Sequence, residues 1–236
     1  MTELTFRSDI KVDLIDFMGS DERAMQMARV SIKEWDKIEA DTGSNPTKIL
    51  ESLIKHRHGV PFEHCYMTVA AEVPISTARQ WVKHRIASIN EKSGRYGKLL
   101  PHFYVPAEDR PMINHGTKME PKMEVGTYIQ HQVAVNSMIE VAQSAWKAYE
   151  QQLKYGIAEE LARNVLPVGL YTTFVFTVNM RSLMNFLERR VEDPRAKVAS
   201  HPQWEIQLGA NQLEEIFRQH MPISHAFFNQ YGRVAP

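Results

Sequence analysis

The chain has 236 residues, 28 Lys plus Arg against 28 Asp plus Glu, one cysteine and 43% hydrophobic residues. That is ordinary globular composition and excludes a disordered chain, while the lone Cys65 excludes a disulfide scaffold. No stretch approaches the roughly 18 apolar residues of a membrane span, so a single cytoplasmic, unanchored domain is expected, with no internal repeat or low-complexity tract.

In chain order, residues 10–17 alternate like a strand, and residues 21–32 predict a helix opened by Ser20 or Asp21. Asn45-Pro46 pairs a capping side chain with a helix-initiating proline, ahead of Ile49, Leu50, Leu53 and Ile54 on one apolar face. Residues 63–73 are rich in β-formers and stop at Pro74, after which residues 75–85 have helical spacing. Residues 101–121, dense in Pro, Gly and polar side chains, predict a connecting loop. Val135, Met138, Ala142, Ala145, Tyr149 and Leu153 describe a long amphipathic helix ending at Gly156. A short helix over 158–165, a strand over 170–178 and helices over 181–190 and 204–220 follow. The pattern is α+β: long helices packed on a small, mainly antiparallel sheet.

Zero net charge conceals a local field. Between residues 74 and 98 lie Arg79, Lys83, Arg85, Lys92, Arg95 and Lys98, with His84 among them and Glu91 the only acid. If residues 75–85 are helical, Gln80, Lys83 and His84 share a face, which predicts a solvated cationic face or a phosphate site. Ser88, Asn90, Glu91, Ser93, Gly94 and Arg95 then read as a polar loop leading into strand-like Leu99-Leu100. Gly94 permits close backbone approach to a ligand, and Glu91 can accept from a ribose hydroxyl or simply neutralise charge. No Gly-x-Gly-x-x-Gly or Walker pattern occurs.

Lys83-His84-Arg85, seven residues, then Ser93 resembles the Arg-His-Arg signature of the flavin-dependent thymidylate synthases. The flanks resemble the family too, in Ala78-Arg79-Gln80-Trp81, Ala87-Ser88, Asn90-Glu91 and Ser93-Gly94-Arg95-Tyr96. So do Ala28-Arg29-Val30-Ser31, Pro61-Phe62-Glu63-His64, Ala162-Arg163 with Leu166-Pro167, Asn179 with Arg181 to Phe186, and Gln203-Trp204-Glu205-Ile206-Gln207, all in the family's order.

The resemblance implies methylation of 2'-deoxyuridylate (dUMP) to thymidylate. Its carbon donor is 5,10-methylenetetrahydrofolate, released as tetrahydrofolate, and NADPH supplies reducing equivalents through FAD. It implies that Gln80, Trp81, Val82, Lys83, Glu91, Lys92, Ser93, Gly94, Arg95 and Arg163 hold the nucleotide. His58, Val60, Lys83, His84, Arg85, Glu91, Asn179, Arg181, Asn185 and His201 are implied to contact FAD. Arg190 matches the arginine that steadies the N3-ionised uracil ring and is the implied catalytic residue; without the resemblance it reads as a helix-end arginine. A homotetramer with sites shared between chains is implied, with no metal, nucleic acid or membrane partner.

Three departures from the family stand out. Lys83 replaces the first arginine of the signature, Val60 precedes Pro61 where Ser or Thr is common, and residues 191–200 lengthen the path from Arg190 to His201, so that Arg195 is an alternative to Arg190. Cys65 lacks the surroundings of a nucleophile and reads as a small core residue. Two other functions compete. One is a metal-dependent hydrolase built on His56, His58 and His64, which lacks an acidic ligand cluster. The other is a nucleic-acid binder using residues 79–98 with Trp81 and Tyr96 as stacking groups.

Overall fold

The computed structural model describes residues 2–41 and 43–236. Its strands and helices run β1 (Thr5–Arg7), β2 (Lys11–Met18), α1 (Asp21–Arg29), α2 (Trp35–Glu39), α3 (Thr47–Lys55), β3 (Tyr66–Pro74), α4 (Ile75–Trp81) and β4 (Ser88–Glu91). They continue β5 (His102–Tyr104), β6 (Pro111–Asn114), β7 (Met123–Val125), α5 (Tyr128–Lys154), α6 (Glu159–Ala162), β8 (Tyr171–Asn179), α7 (Met180–Arg190), α8 (Trp204–His220) and α9 (Pro222–Gln230). The class is α+β, with a small and mainly antiparallel sheet, as expected. The largest sheet has the order β2-β3-β8-β4. Two pairs complete the strands: parallel β1-β5 and antiparallel β6-β7. Among the described residues no helix is long and apolar enough to cross a membrane.

Several boundaries differ from expectation for local reasons. α1 stops at Arg29 instead of residue 32, where β-branched Val30 and Ile32 flank Ser31, whose hydroxyl bonds back to the Ala28 carbonyl at 3.1 Å. The expected Asn45 cap is not formed: Pro46 is itself the N-cap residue, the helix opens at Thr47, and Asn45 Oδ1 accepts from the Thr47 amide at 2.9 Å as an Asx turn just ahead of it. Pro61 holds a 3-10 turn over Val60–His64, so β3 starts only at Tyr66. The expected loop over 101–121 contains β5 and β6, and the expected polar loop begins as strand β4, while Leu99-Leu100 is not a strand. α2 and α9 were not legible as helices.

Packing divides the described residues into two compact units: residues 2–11, 72–83 and 90–174 form the first, and 12–71, 84–89 and 175–236 the second. The first is built around Phe103, Ala142, Trp146, Tyr149, Ala162 and Leu170. Trp146 meets Phe103 edge-on with centroids 5.9 Å apart and lies 5.1 Å from Tyr149. Those aromatic pairs add about 0.5–1.5 kcal/mol each beyond area burial. α5 opens with a Thr127/Gln130 capping box and stops before Gly156, which takes φ +76°. Its buried stripe is Ala142, Trp146 and Tyr149, so Trp146 takes the place expected for Ala145. The other half of α5 leaves Tyr128, Ile129, Val133 and Val141 exposed.

The second unit buries Leu183, Met184, Phe186 and Leu187 of α7 and Ile206, Ala210, Leu213 and Phe217 of α8. Buried Asp21 ties α1 to α9 by accepting from the Ile223 amide at 2.8 Å and from the Ser224 amide and hydroxyl at 3.0 and 2.5 Å. Burial still pushes its carboxyl above the ordinary carboxylate range.

Candidate active site

The cationic segment is not one helical face. α4 ends at Trp81, so Gln80, Lys83 and His84 do not share a face as the spacing suggested. A continued helix would line up like charges with no acid among them before Glu91. Trp81 is fully buried and meets Phe174 edge-on at 5.3 Å. That corrects its reading as a stacking group for nucleic acid and leaves only its backbone to reach a ligand. Val82, Lys83 and Arg85 are exposed. Two further cations are paired: Arg95 Nε with Glu160 at 3.0 Å and Lys98 with Glu150 at 3.5 Å.

In the first unit, the end of β4 is pinned from β8. The Thr172 hydroxyl donates to Glu91 Oε1 at 2.7 Å, and the Lys92 amide donates to the Thr173 carbonyl at 2.9 Å. The chain then turns, with Ser93 Oγ accepting from the Arg95 amide at 3.2 Å. Gly94 is buried there: a Cβ would sit 3.1 Å from both Leu99 methyls and 3.3 Å from Arg163 Cδ, so the backbone lies directly under those side chains. The result is a cavity of about 100 Å³ whose wall includes Glu91, Lys92, Gly94, Arg163, Thr172 and Thr173. Whole-ligand pockets run to about 300–1,000 Å³, so this one can take part of a nucleotide. It gathers four of the residues expected at the nucleotide; Gln80, Trp81, Val82, Lys83, Ser93 and Arg95 do not line it. Thr172, and Glu72 and His102, which also line it, carry no signal in the sequence, because a hydroxyl, an acid and a lone histidine beside strands are common.

Residues expected at the flavin, apart from Lys83 and Glu91, lie in the second unit, as does Arg190. His84 turns inward, its ring perpendicular to Phe186 at 5.5 Å, and its Nε2 is buried without a hydrogen-bond partner among the described residues. Burial first, and the charge of Arg190 second, hold its pKa below the ordinary value, so it is neutral at pH 7. Asn179 caps α7 by accepting from the Ser182 amide at 2.8 Å. Arg181, one turn before exposed Asn185, donates from Nε to the Pro236 carbonyl at 2.8 Å and from Nη1 to Glu63. Arg190 is the last residue of α7 and is half-buried. Desolvation, then Arg189, lowers its pKa, but a guanidinium remains charged.

His58 and Val60 follow Arg57, which takes the left-handed φ of 60° at the end of α3. Val60 is 62% exposed and has only its backbone to offer a polar ligand. His201 is exposed, with Nδ1 3.8 Å from Glu192 Oε1. Arg195 is engaged by Asp193, its Nε 2.8 Å from Oδ1. Among the described residues no group of three or more His, Cys, Asp or Glu is placed to hold a metal ion. Cys65 is buried, with Sγ 3.8 Å from the Ser20 carbonyl, and burial pushes its thiol up to about 11. At neutral pH it is a protonated packing group, as its surroundings in the sequence suggested.

Residues 13–223 match the family described as thymidylate synthase complementing protein. A flavin-dependent thymidylate synthase of Tropheryma whipplei is 42% identical over 232 residues, covering 98% of this chain and 97% of that protein. One of Streptomyces coelicolor is 39% identical over 238 residues, covering 99% and 96%. Among solved structures, the UMP/dUMP methylase PolB from Streptomyces cacaoi bound with 5-Br dUMP superposes with a TM-score of 0.92 at 39% identity, covering 99% of this chain and 100% of that one. With 5-Br UMP bound, the same methylase gives 0.91 at 37% identity over 99% of both chains. Likeness on this scale, through both compact units, means that the chain belongs to the thymidylate synthase complementing protein family.

Proposed function

We propose that the protein is a flavin-dependent thymidylate synthase. It moves the one-carbon unit of 5,10-methylenetetrahydrofolate to C5 of dUMP, with NADPH as reductant through FAD. The observation that carries this reading is the cavity whose wall brings the cations Lys92 and Arg163 together with the Glu91 carboxylate and the Gly94 backbone. Lys92 and Arg163 suit a phosphate dianion, Gly94 lets the backbone approach, and Glu91 is aimed by Thr172 to accept from a ribose hydroxyl. Gln80, the Trp81 and Val82 backbone, Lys83, Ser93 and Arg95 complete the nucleotide set.

The second unit's donors fit FAD. His84 Nε2 is a buried nitrogen without a partner among the described residues, and Arg85, Arg181, Asn185, Asn179, His58 and His201 with the Val60 backbone mix charge with amide and imidazole donors. When bound, FAD supplies the hydride that no side chain can furnish. Arg190 is assigned to the uracil N3 edge. Its partly desolvated, permanently charged guanidinium stabilises the ring in its N3-ionised form and so favours electron density at C5. Cys65, with its thiol at about 11, is not a nucleophile.

A homotetramer with shared sites is supported by exposed Tyr128, Ile129, Val133 and Val141 on α5, which a second copy would cover. The family match passes through both compact units, which supports treating them as one catalytic domain. The test is tritium release from C5-labelled dUMP by the purified yellow protein. Release that needs both methylenetetrahydrofolate and NADPH is expected, and a colourless protein that takes up no added FAD contradicts the reading.

A further inference from the structure

Arg233 is held in two costly ways at once. It takes the left-handed φ of 55° without being glycine, and its side chain is fully buried. The guanidinium forks onto Glu214, with Nη1 and Nη2 at 2.6 and 2.7 Å from the two carboxylate oxygens. It also reaches Asn229 Oδ1 at 2.6 Å and Asp193 at 3.4 Å. Gly232, at φ 85°, accepts from the Lys197 amide at 2.9 Å, so the same turn anchors the 191–200 segment. An arrangement this expensive fixes the chain that follows it.

Residues 234–236 run onto α7. The Ala235 amide donates to Glu188 Oε2 at 3.3 Å, and the Pro236 carbonyl accepts from Arg181 Nε at 2.8 Å. Gly59 lies against the same bond, since a Cβ there would stand 2.3 Å from Arg181 Nε and 2.4 Å from the Pro236 oxygen. Arg181 is thus wedged between the Gly59 backbone and Pro236, with Glu63 taking Nη1, and among the described residues Nη2 is the nitrogen left to reach a ligand. Unheld, a half-exposed arginine would sample many rotamers and lose that freedom on binding.

We propose that Arg233 is a positioning residue: it anchors residues 234–236 as a strap that aims the Arg181 guanidinium and thereby sets the affinity for FAD. This rests on the flavin role assigned to Arg181 above. The Arg233 anchor also tethers the segment 191–200, so the insertion that departs from the family pattern and the flavin arginine are held by one cluster.

The test titrates FAD, by its fluorescence, into apo-protein of four forms: unaltered, lacking residues 234–236, Arg181→Ala, and the two changes combined. The shortened chain keeps the Arg233–Glu214 cluster, so it separates aiming from folding; Arg233→Met is a second probe, read well below its own unfolding midpoint. Loss of one charge-assisted hydrogen bond and of side-chain order predicts FAD binding weakened roughly tenfold by the shortening. The same shortening should add nothing in the Arg181→Ala background, and KM for dUMP at saturating FAD should hold. An affinity unchanged by shortening, while Arg181→Ala weakens binding, overturns the strap alone. Equal loss in the Arg181→Ala background also overturns it. If Arg181→Ala itself leaves FAD affinity intact, the flavin role of Arg181 falls, and the strap with it.

Discussion

Thr172 and Glu91 are joined by a 2.7 Å hydrogen bond from the threonine hydroxyl to Oε1, and both line the cavity of the first unit. The bond spends one carboxylate oxygen on orientation and leaves the other for a ligand donor. Thr172→Val keeps the shape and removes the donor. Losing a bond worth about 1 kcal/mol should raise KM for dUMP roughly fivefold with little change in kcat. Thr172→Ser should restore it, which a purely packing role would not.

Gly94→Ala should act on the same cavity by a different route. Its Cβ would stand 3.1 Å from both Leu99 methyls and 3.3 Å from Arg163 Cδ, so either the loop lifts or Arg163 moves. An overpacked site of this kind costs about 1–3 kcal/mol. KM for dUMP is expected to rise at least as much as in Thr172→Val, measured by steady-state kinetics.

Glu214 gives stability a pH dependence of definite sign. Burial alone would raise its carboxyl, but the hydrogen bonds from Arg233 and His225 outweigh that and bring it from the ordinary 4.5 down to about 2. A depressed carboxyl contributes stability that is complete above the unfolded value and is lost as pH falls through the folded one. Here that amounts to on the order of 3 kcal/mol disappearing between about pH 5 and 2. Glu214→Gln should unfold more easily at pH 7, because Arg233 is left buried without its counter-charge, yet show a flatter urea midpoint across the acid range.

Much of the fold was legible where one period dominates. α8 was expected over 204–220 and occupies Trp204–His220, because its apolar face repeats without interruption. α4 was read four residues too long, since spacing alone does not register that Trp81 and His84 are each drawn into packing by Phe174 and Phe186. The site was legible by type but not by placement. Glu91, Lys92, Gly94 and Arg163 come together in one cavity, but Arg163 reaches it from the turn after α6, far along the chain. Thr172 and Arg233 were missed because their roles are defined only by partners, Glu91 and Glu214, that the fold supplies.

Arg57 offers a local test of the chain turn before His58. Its amide bonds the Ile54 carbonyl at 3.2 Å and its φ of 60° is a position that glycine fills without strain. Arg57→Gly should stabilise the protein by about 1 kcal/mol in a urea melt.

In the proposed mechanism uracil is activated by Arg190 and flavin chemistry and not by a cysteine. Tritium release from C5-labelled dUMP, measured on flavin-loaded Cys65→Ala and Arg190→Ala proteins of matched fold, tests it directly. The buried thiol, held at about 11, predicts that Cys65→Ala turns over near the unaltered rate. Removing the guanidinium at a developing anion predicts a loss on the order of 100- to 1,000-fold for Arg190→Ala. Turnover abolished by Cys65→Ala and retained by Arg190→Ala would overturn this mechanism.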